Sequence, residues 1–487
     1  MLHTITNRLW SLTVCLIASA GLTGCAGLSV SPSGAQPAGA RTQIRAGNNV
    51  PTGYVINFQL PLSSVTLTSD KGTKVSLLPG AVTVEQAHLV GVEDVLTDLT
   101  IPEGTYTQAD IVMQDAQLSY ADLYSQVVET SLPAPASVHL TLNPPVTIGG
   151  SSTVIAVSLD LAQTLSIDAT QDTASFNPPV FTITQETIAP PAAAVQSQTT
   201  AALPRDKAGP AGALGNVFGT VQSVSGSSFK LQNAATGASL TMYVDQGTVF
   251  QGVTLGTMKG LSIEAEVVTQ TDGTLLAEEV EVLGSGSGSA VLGVVTSVAG
   301  MSVATSTQAG LGPGVTSNVL GKTVMVDVTS AAYRMDAAGV DMTGLSYTFD
   351  RTTFVAGQNV DLVSAYALQP DPNGSAGLLQ VDTVELEQQT ITGTIANLST
   401  DSSGRTTFNL MLSSDASLLP SLLGAPDVQA YVVVPSSAAV SGQLTNGRRV
   451  NARGLLFHNV LQAGSVRPHA APPGLTASYE MVATAIQ

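Results

Sequence analysis

Three stretches in the second half of the chain begin alike, and this repetition limits the fold more than any other feature. Gly219-Thr220-Val221-Gln222-Ser223-Val224 returns as Gly293-Val294-Val295-Thr296-Ser297-Val298 and as Gly393-Thr394-Ile395-Ala396-Asn397-Leu398. A second match, Lys259-Gly260-Leu261-Ser262-Ile263-Glu264-Ala265, recurs at Ala356 to Leu362 and at Asn446 to Ala452. Closing segments follow at Ala277 to Val282, Gln380 to Leu386 and Met481 to Ile486. Self-similarity of this kind means repeated units of one architecture. In the first copy Leu240, Met242 and Val244 alternate with Thr241 and Tyr243, and Leu261, Ile263, Ala265 and Val267 alternate with Ser262, Glu264 and Glu266. Period two is the signature of a strand with one face in a core and one in water. Each unit holds about five short strands, and closure into a small barrel removes the exposed edges such strands would leave. The repeats are therefore expected as barrels over residues 214–285, 289–389 and 390–487. Their insertions, Ser302 to Gly321 and Gln462 to Ala477, are expected as loops, where binding would diverge.

The first half also reads as strands. Ile56, Phe58 and Leu60 alternate with Asn57 and Gln59, Val138, Leu140 and Leu142 with His139 and Thr141, and Ile155, Val157, Leu159 and Leu161 form a further face. Only 11% of residues are charged and 4% aromatic, which suits turn-rich β-structure. Val84 to Leu99 breaks the pattern: Leu89, Val92, Leu96 and Leu99 stand at helical spacing, so a helix or irregular segment is expected. Low-complexity segments bracket this region. Residues 25–50, rich in Gly, Ser, Ala and Pro, read as a flexible tether, and residues 188–213 as a Pro/Ala-rich linker. Residues 51–187 between them are expected as a β-sandwich. The fold class is thus all-β, a β-sandwich followed by three small five- to six-stranded, OB-like β-barrel repeats.

The N-terminus sets the address. A short n-region, Met1 to Arg8, precedes an apolar run from Leu9 to Leu22 that is too short for a comfortable membrane span. Leu22-Thr23-Gly24-Cys25 follows, and this stretch resembles the lipobox of bacterial lipoproteins. The resemblance implies cleavage between Gly24 and Cys25, removal of residues 1–24, and acylation of the Cys25 thiol and often of the new amino group. Two or three acyl chains give stable anchoring where one would not. Ala26 would favour the outer membrane under the usual sorting rule. Cys15 leaves with the signal, so the mature chain keeps no thiol pair for a disulfide. Ile101-Pro102-Glu103-Gly104-Thr105-Tyr106-Thr107, with Val157 to Leu161 and Phe176-Asn177-Pro178-Pro179, is similar to a family of β-sandwich domains of unknown function in bacterial surface lipoproteins. The Arg usual near Ile111 in that family is absent. The repeats resemble small β-barrel domains of unknown function found in such lipoproteins.

Catalytic signatures are missing from the sequence. The five histidines are scattered without an H-E-x-x-H pair, Gly300-Met301-Ser302-Val303-Ala304 lacks the second Gly of a nucleophile elbow, and Gly310-Leu311-Gly312-Pro313-Gly314 opens no helix. Asp371-Pro372-Asn373-Gly374 reads as a turn rather than a calcium loop. Glu278, Glu279 and Glu281, with their counterparts Asp382, Glu385 and Glu387, read as solvated strand faces. No cofactor and no metal site are expected. Arg449, Asn451 and Arg453 share one strand face and are the candidate ligand-binding residues, suited to an anionic sugar or an acidic protein surface. The 17 basic residues against 35 acidic give a net charge of −18, or −19 once Arg8 is removed, and on that ground nucleic acid is excluded as a partner. The expected function is a lipid-anchored envelope protein that binds carbohydrate or another envelope protein, or acts as a scaffold. A polysaccharide hydrolase using carboxylates such as Asp327 and Glu385, or a purely structural spacer, are the alternatives.

Overall fold

The computed structural model describes residues 39–48, 53–150, 153–186, 213–270, 272–284, 288–337, 339–401, 404–425, 428–458 and 479–487. Alternating and β-branched segments become strands almost throughout: 60% of the described residues are strand and 3% helix.

The sandwich comprises β1 (Gly39–Asn48), β2 (Val55–Ser69), β3 (Lys74–Ser76), β4 (Val82–Glu85), β5 (Val92–Pro102), β6 (Gly104–Met113), β7 (Ala116–Ala121), β8 (Val127–Leu132), β9 (Ser137–Ile148) and β10 (Thr153–Leu159), then the turn of helix α1 (Leu161–Thr164), β11 (Leu165–Asp168), β12 (Thr173–Phe176) and β13 (Phe181–Glu186). One sheet runs β13-β10-β1-β5 and the other β8-β7-β2-β6-β9, with β3 and β4 also on β2. Ile44, Phe58, Leu60, Leu118, Ile155 and Leu159 meet between the sheets, each essentially without exposed surface. In the Ile-Pro-x-Gly-x-Tyr-Thr turn, buried Tyr106 donates its hydroxyl to the Pro102 carbonyl at 2.8 Å.

Two expectations are corrected here. The tether over residues 25–50 gives way at Gly39 to β1, which pairs with β10 and β5 in the middle of its sheet. Both sides of β1 are covered, partly by polar side chains such as Gln43 and Arg45, so no apolar alternation betrays it. Of the helix or irregular segment expected over Val84 to Leu99, the helix is replaced by the end of β4 and by β5, and only the stretch between them, with Gly91 at φ 72°, is irregular. Val95 and Leu96 are both buried because a register shift between Ile44 and Arg45 lets Val95 pack into the first barrel while Leu96 packs into the sandwich.

Residues 213–214 form β14 (Ala213–Leu214), a parallel addition to β5. The first barrel contains β15 (Val217–Ser225), β16 (Ser228–Asn233), β17 (Ser239–Tyr243), β18 (Val249–Gln251), β19 (Ser262–Thr269) and β20 (Leu275–Gly284). Pairing of β17 with β20 closes the ring β15-β16-β17-β20-β19. The second contains β21 (Ser289–Ala299), β22 (Ser302–Leu311), β23 (Thr323–Asp327), β24 (Ala332–Met335), β25 (Asn359–Ser364), β26 (Gly377–Gln380) and β27 (Thr383–Leu386). Between β26 and β27, the Val381 N–H donates to Asp327 on β23 and the Asp382 N–H to Val363 on β25, so consecutive residues bridge the seam. The third contains β28 (Gln388–Thr400), β29 (Thr406–Leu412), helix α2 (Leu418–Leu423), β30 (Val428–Val434), β31 (Ala439–Val440), β32 (Arg449–His458) and β33 (Tyr479–Ile486), closed by β30 on β33. The insertion expected as a loop at Ser302 to Gly321 is in large part β22. Its counterpart at Gln462 to Ala477, the linker up to residue 212, and residues 1–38 with Gly24 and Cys25 lie outside the described residues.

The repeated glycines follow from barrel geometry. A Cβ on Gly219, Gly293 or Gly393 would lie 2.2, 2.2 or 2.6 Å from a carbonyl oxygen of the neighbouring strand, so no side chain fits where the first strand of each barrel presses on the second. Gly260, Gly357 and Gly447 hold the second shared turn at φ 81°, 90° and 85°, open to glycine without a Cβ penalty.

The domains are not strung apart. Residues 39–487 form one compact unit. Asn57 Nδ2 and Gln59 Nε2 of the sandwich donate to the Thr307 and Gln308 carbonyls of the second barrel at 2.8 and 2.9 Å. Asn233 Nδ2 of the first barrel reaches the Val95 carbonyl at 3.1 Å, and Ser125 Oγ the Ser421 carbonyl in α2 at 2.9 Å. The second and third barrels are joined by Gln358 Nε2, which donates to the Leu456 carbonyl at 3.0 Å. Each of these donors satisfies a backbone acceptor that packing has removed from water.

Candidate functional site

Strand alternation turns Ile263 and Ala265 of β19 into the first core and Glu264 and Glu266 away from it. Val360 and Leu362 of β25 do the same in the second barrel and send Asp361 out. Glu264 stands opposite Glu281 on β20, and Asp361 opposite Glu385 on β27. These two outward faces meet. Glu264, Glu281, Asp361, Glu385 and Glu387 are consequently all buried, and carboxylate oxygens of Glu264, Asp361 and Glu387 lie within 4.8 Å of one another. Two full charges at that range repel by about 3 kcal/mol even with an effective dielectric near 20.

The surroundings relieve only part of this. Arg334 on β24 pairs with Glu281 and, at 2.9 Å, with Glu385. Asn216 donates its amide to Glu264. Neither oxygen of Asp361, a residue 3% exposed, meets a nitrogen or hydroxyl donor, and the Glu264 carboxyl is its hydrogen-bonding neighbour. Burial, reinforced by Asp361 and Glu387, pushes the Glu264 carboxyl well above the ordinary range, and burial with Asp336, Asp361 and Glu385 does the same to Glu387. Burial takes Asp361 to about 6 and Glu385 to about 8, in both cases with Glu281 adding and Arg334 opposing. A void of about 20 Å³ is lined by Asn216, Glu264, Glu266, Glu279, Glu281, Asp336 and Glu387. The expectation that the acidic strand residues are solvated is thus corrected for Glu281, Glu385 and Glu387. It stands for Asp382, an exposed residue whose carboxylate accepts the Ala365 N–H at 2.6 Å.

The residues singled out on β32 keep their period-two arrangement but not a common environment. Arg449 is exposed. Asn451 is half-buried and accepts the Thr392 hydroxyl at 2.8 Å. Arg453 lines a cleft of about 130 Å³ with His88, Asn359, Gln388, Gln389 and Thr392. Asp327 and Glu385, offered as a hydrolase pair, are separated by role: Asp327 caps a turn by accepting the Thr329 N–H and hydroxyl, and Glu385 sits in the barrel junction. Gly300 and Asp371 both fall in turns, the latter accepting the Asn373 N–H.

Sequence reasoning missed two charged groups of the sandwich. Arg45, 1% exposed, donates to Glu93 at 2.9 Å and to Thr269 of the first barrel at 2.8 Å, and lies 3.5 Å from Glu186. Burial and the Glu93 charge push Glu186 up to about 7, with Arg45 opposing. His88 Nδ1 meets Glu85 at 2.6 Å and Nε2 meets Asp94 at 3.2 Å. Burial disfavours its charge, but Asp94 and Glu85 outweigh this and raise it to about 10. Beside it a largely apolar cleft of about 90 Å³ lies where the sandwich and first two barrels converge. A histidine three residues after a Glu at a strand end was the available signal.

No protein-family model matches the chain, and no curated protein does. Among the described residues no helix is long and apolar enough to cross a membrane. Solved structures do match. Drosophila Unr CSD456 is 10% identical, with 49% of this chain and 90% of that one covered and a TM-score of 0.12. A multidomain protein with nucleic acid binding domains from Streptococcus pneumoniae is 11% identical, with 49% and 68% covered and a TM-score of 0.10. The exclusion of nucleic acid drawn from net charge is corrected to this extent: a matched structure is described as having nucleic acid binding domains, so charge alone does not exclude such a partner, and at these scores nothing further follows for this chain.

Proposed function

We propose that the protein is a lipid-anchored scaffold of the bacterial envelope, held by acylated Cys25 and presenting a sandwich and three barrels as one stiff body. The observation that carries the scaffold reading is the set of buried amides, Asn57, Gln59 and Asn233, that cross domain boundaries to backbone carbonyls. Side chains committed in this way fix the relative position of domains, because separating them exchanges each such bond for bonds to water at a net loss of roughly 0.5–1.5 kcal/mol, while a shifted docking would leave the acceptors buried and unpaired. Calorimetry of the full-length protein in detergent tests it. A single cooperative transition is expected, and Asn57→Ala with Gln59→Ala should split it; independent transitions in the wild type would refute the stiff body. Anchoring is tested separately, by incorporation of labelled fatty acid in cells, which Cys25→Ala should abolish.

A second reading, glycan capture, is favoured by the cleft in which Arg453 stands among the amides of Asn359, Gln388 and Gln389. Convergent planar amides and a guanidinium suit sugar hydroxyls and carboxylates. Retention on a glycan array that Arg453→Ala removes, and Arg449→Ala leaves largely intact because that residue is out on the surface, would establish it. Absence of retention on the array leaves the scaffold reading alone.

A further inference from the structure

The junction of the first and second barrels presents three buried carboxylates from two domains with no described guanidinium or ammonium pairing any of the three. Arg334 is committed to Glu281 and Glu385, and both oxygens of Asp361 face the cluster without a nitrogen or hydroxyl donor. Nitrogen donors reach only Glu264, through Asn216, and beyond that the Glu264 carboxyl is the hydrogen-bonding neighbour of Asp361.

We propose that Glu264, Asp361 and Glu387 bind one divalent cation, calcium, that clamps the first barrel to the second. The donor set is oxygen only, as a hard cation requires. Ligand atoms on opposite sides of a calcium ion stand about 4.6–5.2 Å apart, twice the usual calcium–oxygen distance, and the three carboxylates lie within 4.8 Å of one another. The adjoining void of about 20 Å³, lined by Glu264 and Glu387 but not by Asp361, has room for one dehydrated ion drawn up against the Asp361 carboxylate. Magnesium, which sheds its waters reluctantly and wants shorter, octahedral bonds, fits that space less well. Glu281 and Asp336 line the same space and supply further oxygens. The ligands come from β19, from β25 and from the residue between β27 and β28, so the ion would be bound only when both barrels are in place. The inference does not depend on the lipid anchor or on glycan capture.

The test uses full-length protein in detergent, stripped with EDTA and exchanged into chelator-free buffer, titrated calorimetrically with CaCl2 and in parallel with MgCl2. One calcium ion per chain is expected, bound at least about tenfold more tightly than magnesium, with a Tm that climbs with CaCl2 concentration. Asp361→Asn should weaken calcium by at least about tenfold yet leave the Tm in EDTA equal to or above that of the wild type, since it removes a repelling charge. A merely structural carboxylate would not give that opposite pair of effects. Glu387→Gln is the companion should Asp361→Asn misfold. No heat and no Tm change with either salt, as when the carboxyls simply hold protons, would overturn the proposal; so would calcium binding that survives in the folded variants.

Discussion

The sandwich and the barrel junction both bury carboxylates, but they neutralise them differently. In the sandwich each group carries its own cation: Arg45 lies between Glu93 and Glu186, and His88 between Glu85 and Asp94. At the junction Glu264, Asp361 and Glu387 converge while Arg334 sits to one side with Glu281 and Glu385. Cations covalently built into a domain stabilise it without any ion taken from solution. Acids contributed by two domains make their contact conditional on something added, a proton or an ion. The contrast teaches that the sandwich is self-sufficient and the junction conditional.

The largest effect that could break this comparison is expected at Arg45. Arg45→Met should cost about 3 kcal/mol or more at pH 8, because it strands Glu93 and Glu186 in a nearly closed site. At pH 5 the loss should shrink, since Glu186, titrating near 7, is then protonated. Urea denaturation at both pH values measures it, and a loss under about 1 kcal/mol at pH 8 would mean the sandwich is not held by its own cation.

Arg334→Ala comes next. Glu385 is closed to solvent but the guanidinium is 42% exposed, so a loss of about 2 kcal/mol is expected, less than for a fully buried pair. An effect as large as that of Arg45→Met would erase the difference between the two regions.

His88 sharpens the comparison through pH. Its folded pKa of about 10 lies above the ordinary 6.5. The stability it contributes is therefore complete below about pH 6.5 and disappears as pH rises through about 10. His88→Gln should thus destabilise the protein by about 1 kcal/mol at pH 6, the scale of a partly exposed ion pair rather than of the full shift, and by little at pH 10.5. Thermal melts of both proteins at the two values decide it, and an equal loss at both would show that charge plays no part.

The smallest effect is expected at Asn451, which occupies in the third barrel the position of Glu264 and Asp361. Its register partner is Gln487 rather than an acid, and Thr392 donates to it. Asn451→Asp should change stability by no more than about 0.5 kcal/mol and create no calcium affinity, because its neighbours on the adjacent strands are Thr392 and Gln487 rather than acids. Acquired calcium binding would show that one acid suffices.

Much of the fold was legible because the relevant signals are local. Val221, Val295 and Ile395 recur as buried openers, and Gly219, Gly293 and Gly393 precede them because no Cβ fits beside the next strand. Leu240 and Met242 alternate as read, and Tyr106 closes the turn that its motif suggested. β1 was illegible because both its faces are covered, and β5 because the register shift opposite Ile44 and Arg45 buries Val95 and Leu96 in different cores, and each cancels the amphipathic period on which such reading depends. The candidate site was half legible. The repeat aligned Glu264 with Asp361 and alternation turned both outward, but an outward residue is normally a wet one.

What the sequence alone determined is whatever sterics and periodicity dictate within a strand or between neighbours: the strand-rich class, the three barrels, their glycines, and which side chains leave each core. What only the tertiary structure decided is what those outward faces touch. Two acidic faces became an interior because the first barrel packs against the second, Arg45 became buried because the sandwich packs against Thr269, and Arg453 came to line a cleft because the sandwich and third barrel meet there. Contacts between domains depend on the fit of whole surfaces, each assembled from residues tens to hundreds of positions apart, and no local pattern encodes that fit.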